Sequence, residues 1–366
     1  PKIACFANYI WTENLSYQIA KRIKKKNPET IIVFGGPNYT LHDKIEQKKF
    51  LTEHPDIDFY IVGEGEEPFK LLLEELFKNN FNINKIREEK IKIAGCHYLI
   101  NGEFISSPMP PRIPNLDDIP SPYLLGLNDK FLNGDYKPLI ETARGCPFAC
   151  TFCQQGEDYY NKVRRFSFEV TKKELKYLAE KSKSKTLCLA DSNFGTYKQD
   201  IVTANEMASL LKTHGFPSAV QGINGKNNKD RVIETTEILG HTFFMAPIQS
   251  ASDEVLKNIK RKNISGQAML DVVLRAKEKS QTSTSFSELI LCLPGETKES
   301  HLKANGELID AGIDVVRSHQ LIMLPASPMS YRKSRYEHGF VTKFRVVPDT
   351  IEQYELYGEK FHCWKK

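Results

Sequence analysis

Three cysteines, Cys146, Cys150 and Cys153, stand at C-x3-C-x2-C spacing in the stretch Thr142-Ala143-Arg144-Gly145-Cys146-Pro147-Phe148-Ala149-Cys150-Thr151-Phe152-Cys153. Thiolates are soft ligands suited to zinc or to iron–sulfur clusters. With no fourth ligand close in sequence, three of them leave a coordination position open. Electron-transfer clusters are ordinarily held by four protein cysteines; a cluster held by three can take a further ligand at its fourth iron. Zinc prefers four ligands in paired clusters. No C-x2-C or H-x3-H pair follows downstream, and the nearest histidines, His97 and His214, are distant. Spacing alone leaves a cluster, a zinc knuckle and merely buried thiols all open.

Other residues able to do chemistry follow apolar runs. Asp191-Ser192-Asn193 follows Thr186 to Ala190, and Gln249-Ser250 follows a run ending at Ile248, with Asp253, Leu256 and Arg261 close behind. Each has a plainer reading. A strand-end aspartate caps helices, and Arg261 taken alone is a charge on an exposed helix. Tyr159 and Tyr160 could cover a site or be ordinary loop aromatics. His214, His241 and His301 show no metal spacing and read as structural or exposed.

The elements that must position these residues come in two patterns. In the first, Lys2 to Ala7 and Thr30 to Phe34 are strand-like, the second closing on Gly35-Gly36-Pro37. Short apolar runs closed by glycine are how buried parallel strands meet a ligand-facing loop. Between them, Asn14 is expected to cap a helix whose Leu15, Ile19 and Ile23 share one face, with Asn27-Pro28 as its stop. Ile57 to Val62 runs into Gly63-Glu64-Gly65-Glu66, and Phe69, Leu72, Leu73, Leu76 and Phe77 make the next apolar helix stripe. Lys92 to Ile100 reads as a strand with a hairpin turn at Asn101-Gly102. Glu64 and Glu66 also suit the first turn of a helix, where acids favour the dipole. Strands alternating with helices imply a doubly wound parallel sheet. A stretch crowded with proline, from Pro108 to Pro122, then reads as an extended linker.

From Lys137 the second pattern begins, six β/α units. Their strands lie near Pro138 to Ile140, Thr186 to Ala190, Pro217 to Gly222, His241 to Ile248, Ser287 to Leu293 and Asp314 to Leu324. Such units make a partial TIM-like barrel, with its active site at the carboxyl ends of the strands. The cysteine loop and every polar segment named above fall at such an end.

The loop C-x3-C-x-aromatic-C, with Phe152 as the aromatic, resembles the cluster loop of the radical S-adenosylmethionine (radical SAM) enzymes. Its Arg144-Gly145-Cys146-Pro147 opening resembles the branch that carries a cobalamin-binding domain. Gly35-Gly36-Pro37 and Gly63-Glu64-Gly65-Glu66 are similar to the second half of that domain, although its Asp-x-His-x-x-Gly motif is absent. Asp117-Asp118-Ile119-Pro120 is similar to the linker before the cluster loop. Gln249-Ser250 with Asp253, Leu256 and Arg261, Leu293-Pro294-Gly295-Glu296-Thr297, and Gln320 to Pro325 resemble later barrel segments.

The resemblance implies an α/β fold in three parts. These are a Rossmann-like cobalamin-binding-type domain and linker over 1–122, a partial (β/α)6 radical SAM barrel over 123–335, and the start of a C-terminal region over 336–366. It implies Cys146, Cys150 and Cys153 as ligands of a 4Fe–4S cluster whose open iron chelates S-adenosylmethionine. Phe152, Asp191, Asn193, Gln249, Ser250, Arg261 and Gln320 would contact S-adenosylmethionine, Arg261 through its carboxylate. Asp191 and Asn193 replace the family's Gly-Gly-Glu. Gly35, Gly36, Gly63 and Glu64 would approach cobalamin. The implied activity is reductive cleavage of S-adenosylmethionine to a 5′-deoxyadenosyl radical and cobalamin-dependent methylation of an unactivated carbon. A cobalamin-binding enzyme catalysing a non-methylating rearrangement or cyclisation, and a non-catalytic metal-binding module, are the alternatives. The implied partners are a small, natural-product-like substrate and an electron donor such as flavodoxin or ferredoxin.

Composition bounds this reading. The chain has 366 residues, of which 40% are hydrophobic and 27% charged, enough for two domains. The basic run Lys21 to Lys26 falls on the first helix and reads as a solvated face, so no nucleic-acid partner is expected. No apolar run approaches the roughly 20 residues of a membrane span. The remaining cysteines, Cys5, Cys96, Cys188, Cys292 and Cys363, are scattered singles and make no disulfide framework. A reducing, cytoplasmic setting is therefore expected. Because the chain starts at Pro1 directly in a strand-like run and stops at Lys366 without a tail, a fragment lacking the first half of its N-terminal domain is also expected.

Overall fold

Apolar runs become central strands where both sheet faces are covered. β1 (Ile3–Ala7), β2 (Ile31–Gly35) and β3 (Phe59–Ile61) pair in parallel. β4 (Cys96–Ile100) and β5 (Glu103–Ile105) extend the sheet antiparallel, in the order β1-β2-β3-β4-β5. These coordinates are a computed structural model that describes residues 1–222, 225, 227–240, 244–245, 247–262, 285–343 and 351–364. By packing, the chain divides into one unit of 1–113 with 323–366 and another of 114–322. The first boundary falls within the proline-rich stretch and the second after Ile322.

Side chains alternate across a strand, and the first sheet uses both sets. Ile31, Val33, Phe59 and Ile61 pack with Leu72 and Leu76 of α3 (Glu66–Lys78) and Ile86 of α4 (Ile83–Glu88). On the opposite face Tyr60 stacks on Tyr39 with ring centroids 3.9 Å apart and meets Phe50 of α2 (Lys44–Glu53) edge-on. The preceding helix, α1, is Glu13–Lys26. Its N-cap is Thr12 rather than the expected Asn14, and the Thr12 hydroxyl donates to Ala7 O at 2.9 Å instead of capping. Asn101 and Gly102 both adopt positive φ, 49° and 77°, as a two-residue hairpin turn requires.

A buried aspartate ties this unit together. Asp58, at the entrance to β3, accepts from the Ile32 amide at 2.7 Å and pairs with Lys24 of α1 at 2.7 Å and Arg87 of α4 at 3.0 Å. An antiparallel hairpin, Ile351–Leu356 with Glu359–Trp364, belongs to the same unit. It joins α1 through Lys25–Glu359 at 2.6 Å and through the Arg22 guanidinium 3.7 Å above the Phe361 ring. α2 has a conventional cap, with Asp43 accepting from the Ile45 and Glu46 amides at 3.0 and 3.2 Å. Asp43→Ala should lower stability by about 1 kcal/mol, measurable as a modest drop in denaturation midpoint without change of slope.

The second unit is built from two three-stranded parallel sheets. β6 (Leu139–Ile140) leads into the cysteine loop, which a small antiparallel pair, β7 (Ala143–Arg144) and β8 (Arg164–Arg165), pins at its base. β9 (Thr186–Leu189) pairs with β6 on one side and with β10 (Ala219–Gln221) on the other. The second sheet runs β11 (Phe244–Met245), β12 (Ser285–Leu291), β13 (Val315–Gln320). A parallel bridge from Gln249 to Leu289 continues it. His241 to Phe243 and Ala246, which the sequence places in the fourth barrel strand, lie outside the described residues, as do Lys365 and Lys366.

Helices α5 (Phe168–Lys181), α6 (Lys198–His214), α7 (Lys229–Leu239), α8 (Asp253–Asn258) and α9 (Lys298–Asp310) alternate with the strands. Ile140, Leu187 and Leu189 face Leu175, Leu178, Ala204 and Met207 of α5 and α6 in one core. Leu289 packs with Ala304 and Leu308 of α9 in another. His301 is buried on α9, with Nδ1 3.1 Å from Glu296 Oε1 and Nε2 2.9 Å from Ser318 Oγ. It braces helix to strand, the structural role its spacing suggested. Because the strands within each sheet are parallel, all the polar segments singled out in the sequence lie at carboxyl ends.

Candidate active site

The cysteine loop is held by backbone bonds at several points. Cys146 N donates to Tyr160 O at 2.9 Å, Cys153 N to Cys150 O at 3.1 Å, and Thr151 N to Ile259 O, just past α8, at 3.1 Å. Two glycines make the crossing possible. Gly145 has φ +113°, and a Cβ there would meet Lys162 O at 2.7 Å; a Cβ on Gly156 would lie 2.1 Å from Cys150 O. Cys146 and Cys150 are buried and Cys153 half-buried. Among the described residues, no three His, Cys, Asp or Glu side chains gather closely enough to share one metal ion.

The surroundings suit negative sulfur. Asn193, at the end of β9 and 5% exposed, points its amide Nδ2 at Cys146 Sγ, 3.3 Å away. Arg261 is 8% exposed, which overturns the exposed-charge reading. It sits beyond the end of α8, not within a helix, and one arm reaches Cys150 Sγ at 3.9 Å while the other donates to Pro247 O. Burial lowers its pKa, and all three cysteines oppose that by favouring its charge. One buried cation therefore feels all three sulfurs. Asn193 Oδ1 and Thr151 Oγ1 are buried without a hydrogen-bond partner. Such orphaned groups carry a penalty, and here they lie on or beside the loop that would carry a cluster. Three thiols, a cation and orphaned polar atoms fit a cluster with a polar ligand on it.

The other expected S-adenosylmethionine contacts divide. Gln249 is buried with φ +68°, its backbone bonded to β12 through Glu288 O at 2.8 Å and Ile290 N at 2.9 Å. Ser250 is fully buried beside it and accepts from Ser252 N at 3.2 Å. Phe152 is half-buried in the loop, and Gln320 at the end of β13 is exposed. Asp191 is not an open contact. Its Oδ1 accepts from Thr142 N at 2.7 Å and its Oδ2 from Thr142 Oγ1 at 2.5 Å. Burial raises its carboxyl pKa to about 6, with the Thr142 bonds opposing. Asp191 thus fastens the entry of the cysteine loop to β9. Of the loop aromatics, Tyr160 accepts from Gln154 Nε2 at 3.0 Å and packs edge-on against Tyr159.

The first unit has its own polar cluster at the carboxyl ends of its parallel strands. Asn8, fully buried after β1, donates to Tyr60 Oη at 3.0 Å and Asn38 O at 3.3 Å. Asn38 donates to Glu13 at 2.6 Å, yet its Oδ1 is buried and unpartnered. Gly36 has φ +129°, and the space of its missing Cβ is taken by Asn8 O at 2.7 Å, so this glycine serves the chain's own close approach. Gly63 also has positive φ, 77°, while Gly35 has ordinary contacts only. Glu64 has partners that its sequence position did not suggest: it pairs with Arg112 at 2.8 Å and accepts from Ile113 N. Sequence reasoning passed over Asn8 and Asn38; polar residues directly after β1 and after Gly-Gly-Pro were the available signal.

The family model of the radical SAM superfamily matches residues 140–305. The chain is 29% identical over 372 residues to the cobalamin-dependent radical SAM methyltransferase TokK of Streptomyces tokunonensis, covering 97% of this chain and 50% of that protein. It is 28% identical over 365 residues to the 2-(S-pantetheinyl)-carbapenam-3-carboxylate methyltransferase of Streptantibioticus cattleyicolor, covering 96% and 50%. The chain thus spans about half the length of these curated relatives. Its fold is similar to that of the radical S-adenosylmethionine methyltransferase TsrM from Kitasatospora setae, solved with cobalamin and a [4Fe-4S] cluster bound. That match has a TM-score of 0.68 at 15% identity and covers 98% of this chain and 70% of that one.

Proposed function

Since the chain belongs to the radical SAM superfamily, in the branch that carries a cobalamin-binding domain, we propose that it is the cofactor-binding part of a cobalamin-dependent radical methyltransferase acting on an unactivated carbon of a small, natural-product-like molecule. The observation that carries this reading is the grouping of buried Cys146 and Cys150 and half-buried Cys153 about the Arg261 cation, with Asn193 on Cys146. Cys146, Cys150 and Cys153 would hold a 4Fe–4S cluster. When bound, the cluster, S-adenosylmethionine and cobalamin supply the electron, the radical source and the methyl carrier.

The chain's own residues do the positioning. Thr142 and Asp191 fix the strand that enters the loop, and Thr151 N fixes the loop to the segment after α8. Arg261 offers a fixed guanidinium fork beside the sulfurs, suited to a carboxylate, and Gln249 and Ser250 present a buried polar strand end. Phe152 and Gln320 are assigned to the nucleoside side of S-adenosylmethionine. On the first unit, Gly35, Gly36 and Gly63 are assigned with Asn8 and Asn38 to the corrin side; the unpartnered Asn38 Oδ1 is an acceptor for a ligand N–H. Glu64 is assigned to the same side, held in place by its pair with Arg112. The domain assignment follows the sequence: 1–122 for cobalamin, 123–335 for the radical SAM barrel, 336–366 for the start of a C-terminal region. A low-potential electron donor such as flavodoxin or ferredoxin and a cytoplasmic setting complete the proposal. No helix among the described residues is long and apolar enough to cross a membrane.

Anaerobic reconstitution with iron and sulfide, followed by incubation with methyl-labelled S-adenosylmethionine, a reductant and cobalamin, tests it. Label in an acceptor together with 5′-deoxyadenosine is the expected result. Deoxyadenosine without label transfer would favour a non-methylating radical reaction. A colourless protein that binds one zinc tightly would remove the radical reading.

A further inference from the structure

Asn193 joins a cysteine sulfur to an acceptor that nothing among the described residues satisfies. Its Nδ2 lies 3.3 Å from Cys146 Sγ, its side chain is buried, and its Oδ1 has no partner. An amide has one donating and one accepting end. A metal-bound thiolate can only accept, so the donating end must face Sγ and the carbonyl must turn away from it. The contact is shielded from water, where hydrogen bonds are electrostatically stronger.

We propose that the Asn193 amide is a positioning residue that donates to the cluster-bound sulfur of Cys146 and thereby raises the cluster's reduction potential. The inference rests on Cys146 being a cluster ligand, as read above. Hydrogen bonds to the sulfurs are among the determinants of cluster potential, and outer hydrogen bonds tune bound metals generally. Reduction adds one electron, part of whose charge falls on the sulfurs. An N–H donor stabilises that added charge more than it stabilises the oxidised cluster. Arg261 acts in the same sense from the side of Cys150, but its removal would also delete a charge and a packed side chain. Asn193 is the cleaner handle, because truncating it removes a donor and leaves the net charge unchanged.

The test is an EPR-monitored redox titration of the anaerobically reconstituted chain without S-adenosylmethionine, with iron and sulfide counted in every sample. At a fixed poise, Asn193→Ala should lower the ratio of reduced to oxidised cluster roughly tenfold, which is about 59 mV for a one-electron couple. The isosteric Asn193→Asp cannot donate when ionised and adds negative charge, so its ratio should fall further. Potentials unchanged in both variants, with the cluster intact, would overturn the proposal. So would loss of the cluster from both variants in otherwise folded protein, since Asn193 would then be only a brace. A wild-type chain that assembles no 4Fe–4S cluster would overturn the underlying reading as well, which separates the two failures.

Discussion

Gly156→Ala is expected to strip the cysteine loop of its iron while leaving the rest of the chain folded. Gly156 closes the short turn after Cys153, and its amide donates to Cys153 O at 3.0 Å. An added Cβ would lie 2.1 Å from Cys150 O, 2.9 Å from Cys150 C and 3.2 Å from Cys150 N. All three are backbone atoms, so no side-chain rotation relieves the overlap. Either the backbone of Cys150 or the turn at Gln154 to Gly156 must move, and both positions are tied to ligands. Overpacking of this kind costs about 3 kcal/mol or more, roughly a hundredfold in an equilibrium. The cost falls on the loop geometry that places Cys150 relative to Cys146 and Cys153. The measurement is iron and sulfide per chain after anaerobic reconstitution, with far-ultraviolet circular dichroism as the control for folding. Gly306→Ala on α9, where an added Cβ meets nothing within 4 Å, should load iron normally. Full iron content in Gly156→Ala would show that the loop tolerates the displacement and that this close crossing does not position the ligands.

The contrast between those glycines marks where sequence stops informing. The alternation of apolar runs with amphipathic stripes was legible, because burial on both sheet faces leaves continuous hydrophobic segments such as Ile31 to Phe34. The cysteine loop was legible because ligand spacing is local. The placement of polar clusters at strand ends was legible because parallel strands put all their exits on one side. Contacts between residues distant in sequence were not. Asp191 looked like a ligand contact or a helix cap, and its partner Thr142 stands 49 positions away. Arg261 taken alone read as an exposed helix charge and by resemblance as a carboxylate partner; only the fold shows it beside Cys150, 111 positions earlier. Glu64 carried two local explanations, and Arg112 supplied a third from 48 positions on. Asp58 drew no notice, although it gathers Ile32, Lys24 and Arg87. In each case the side chain's type was visible and its partner was not, because a partner set by topology leaves no periodic trace.

The stability of the chain should also depend on pH through Asp191, and the sign is the reverse of the usual carboxylate case. Burial raises the folded-state pKa from 3.8 to about 6, against the lowering influence of the bonds from Thr142 and Ala143. Between these values the folded state binds a proton that the unfolded state does not. The contribution from this group is therefore fully present below about pH 3.8 and is lost as pH rises through about 6. At 1.36 kcal/mol per unit, a shift of about two units amounts to about 3 kcal/mol. Asp191→Asn keeps the shape and one accepting oxygen but cannot titrate. Denaturant melts of the cluster-free wild type and variant across this range should give a stability difference that moves toward the variant by about 3 kcal/mol with rising pH. The other titrating groups are common to both proteins and cancel in the difference. A flat difference would mean that Asp191 ionises in the fold as readily as in the unfolded chain, and that its bonds to Thr142 already compensate its burial. If the slope is as expected, the carboxylate that anchors the cysteine loop at neutral pH is held there at the expense of stability. What it supplies in return is a fixed Thr142, and with it the strand that delivers Cys146.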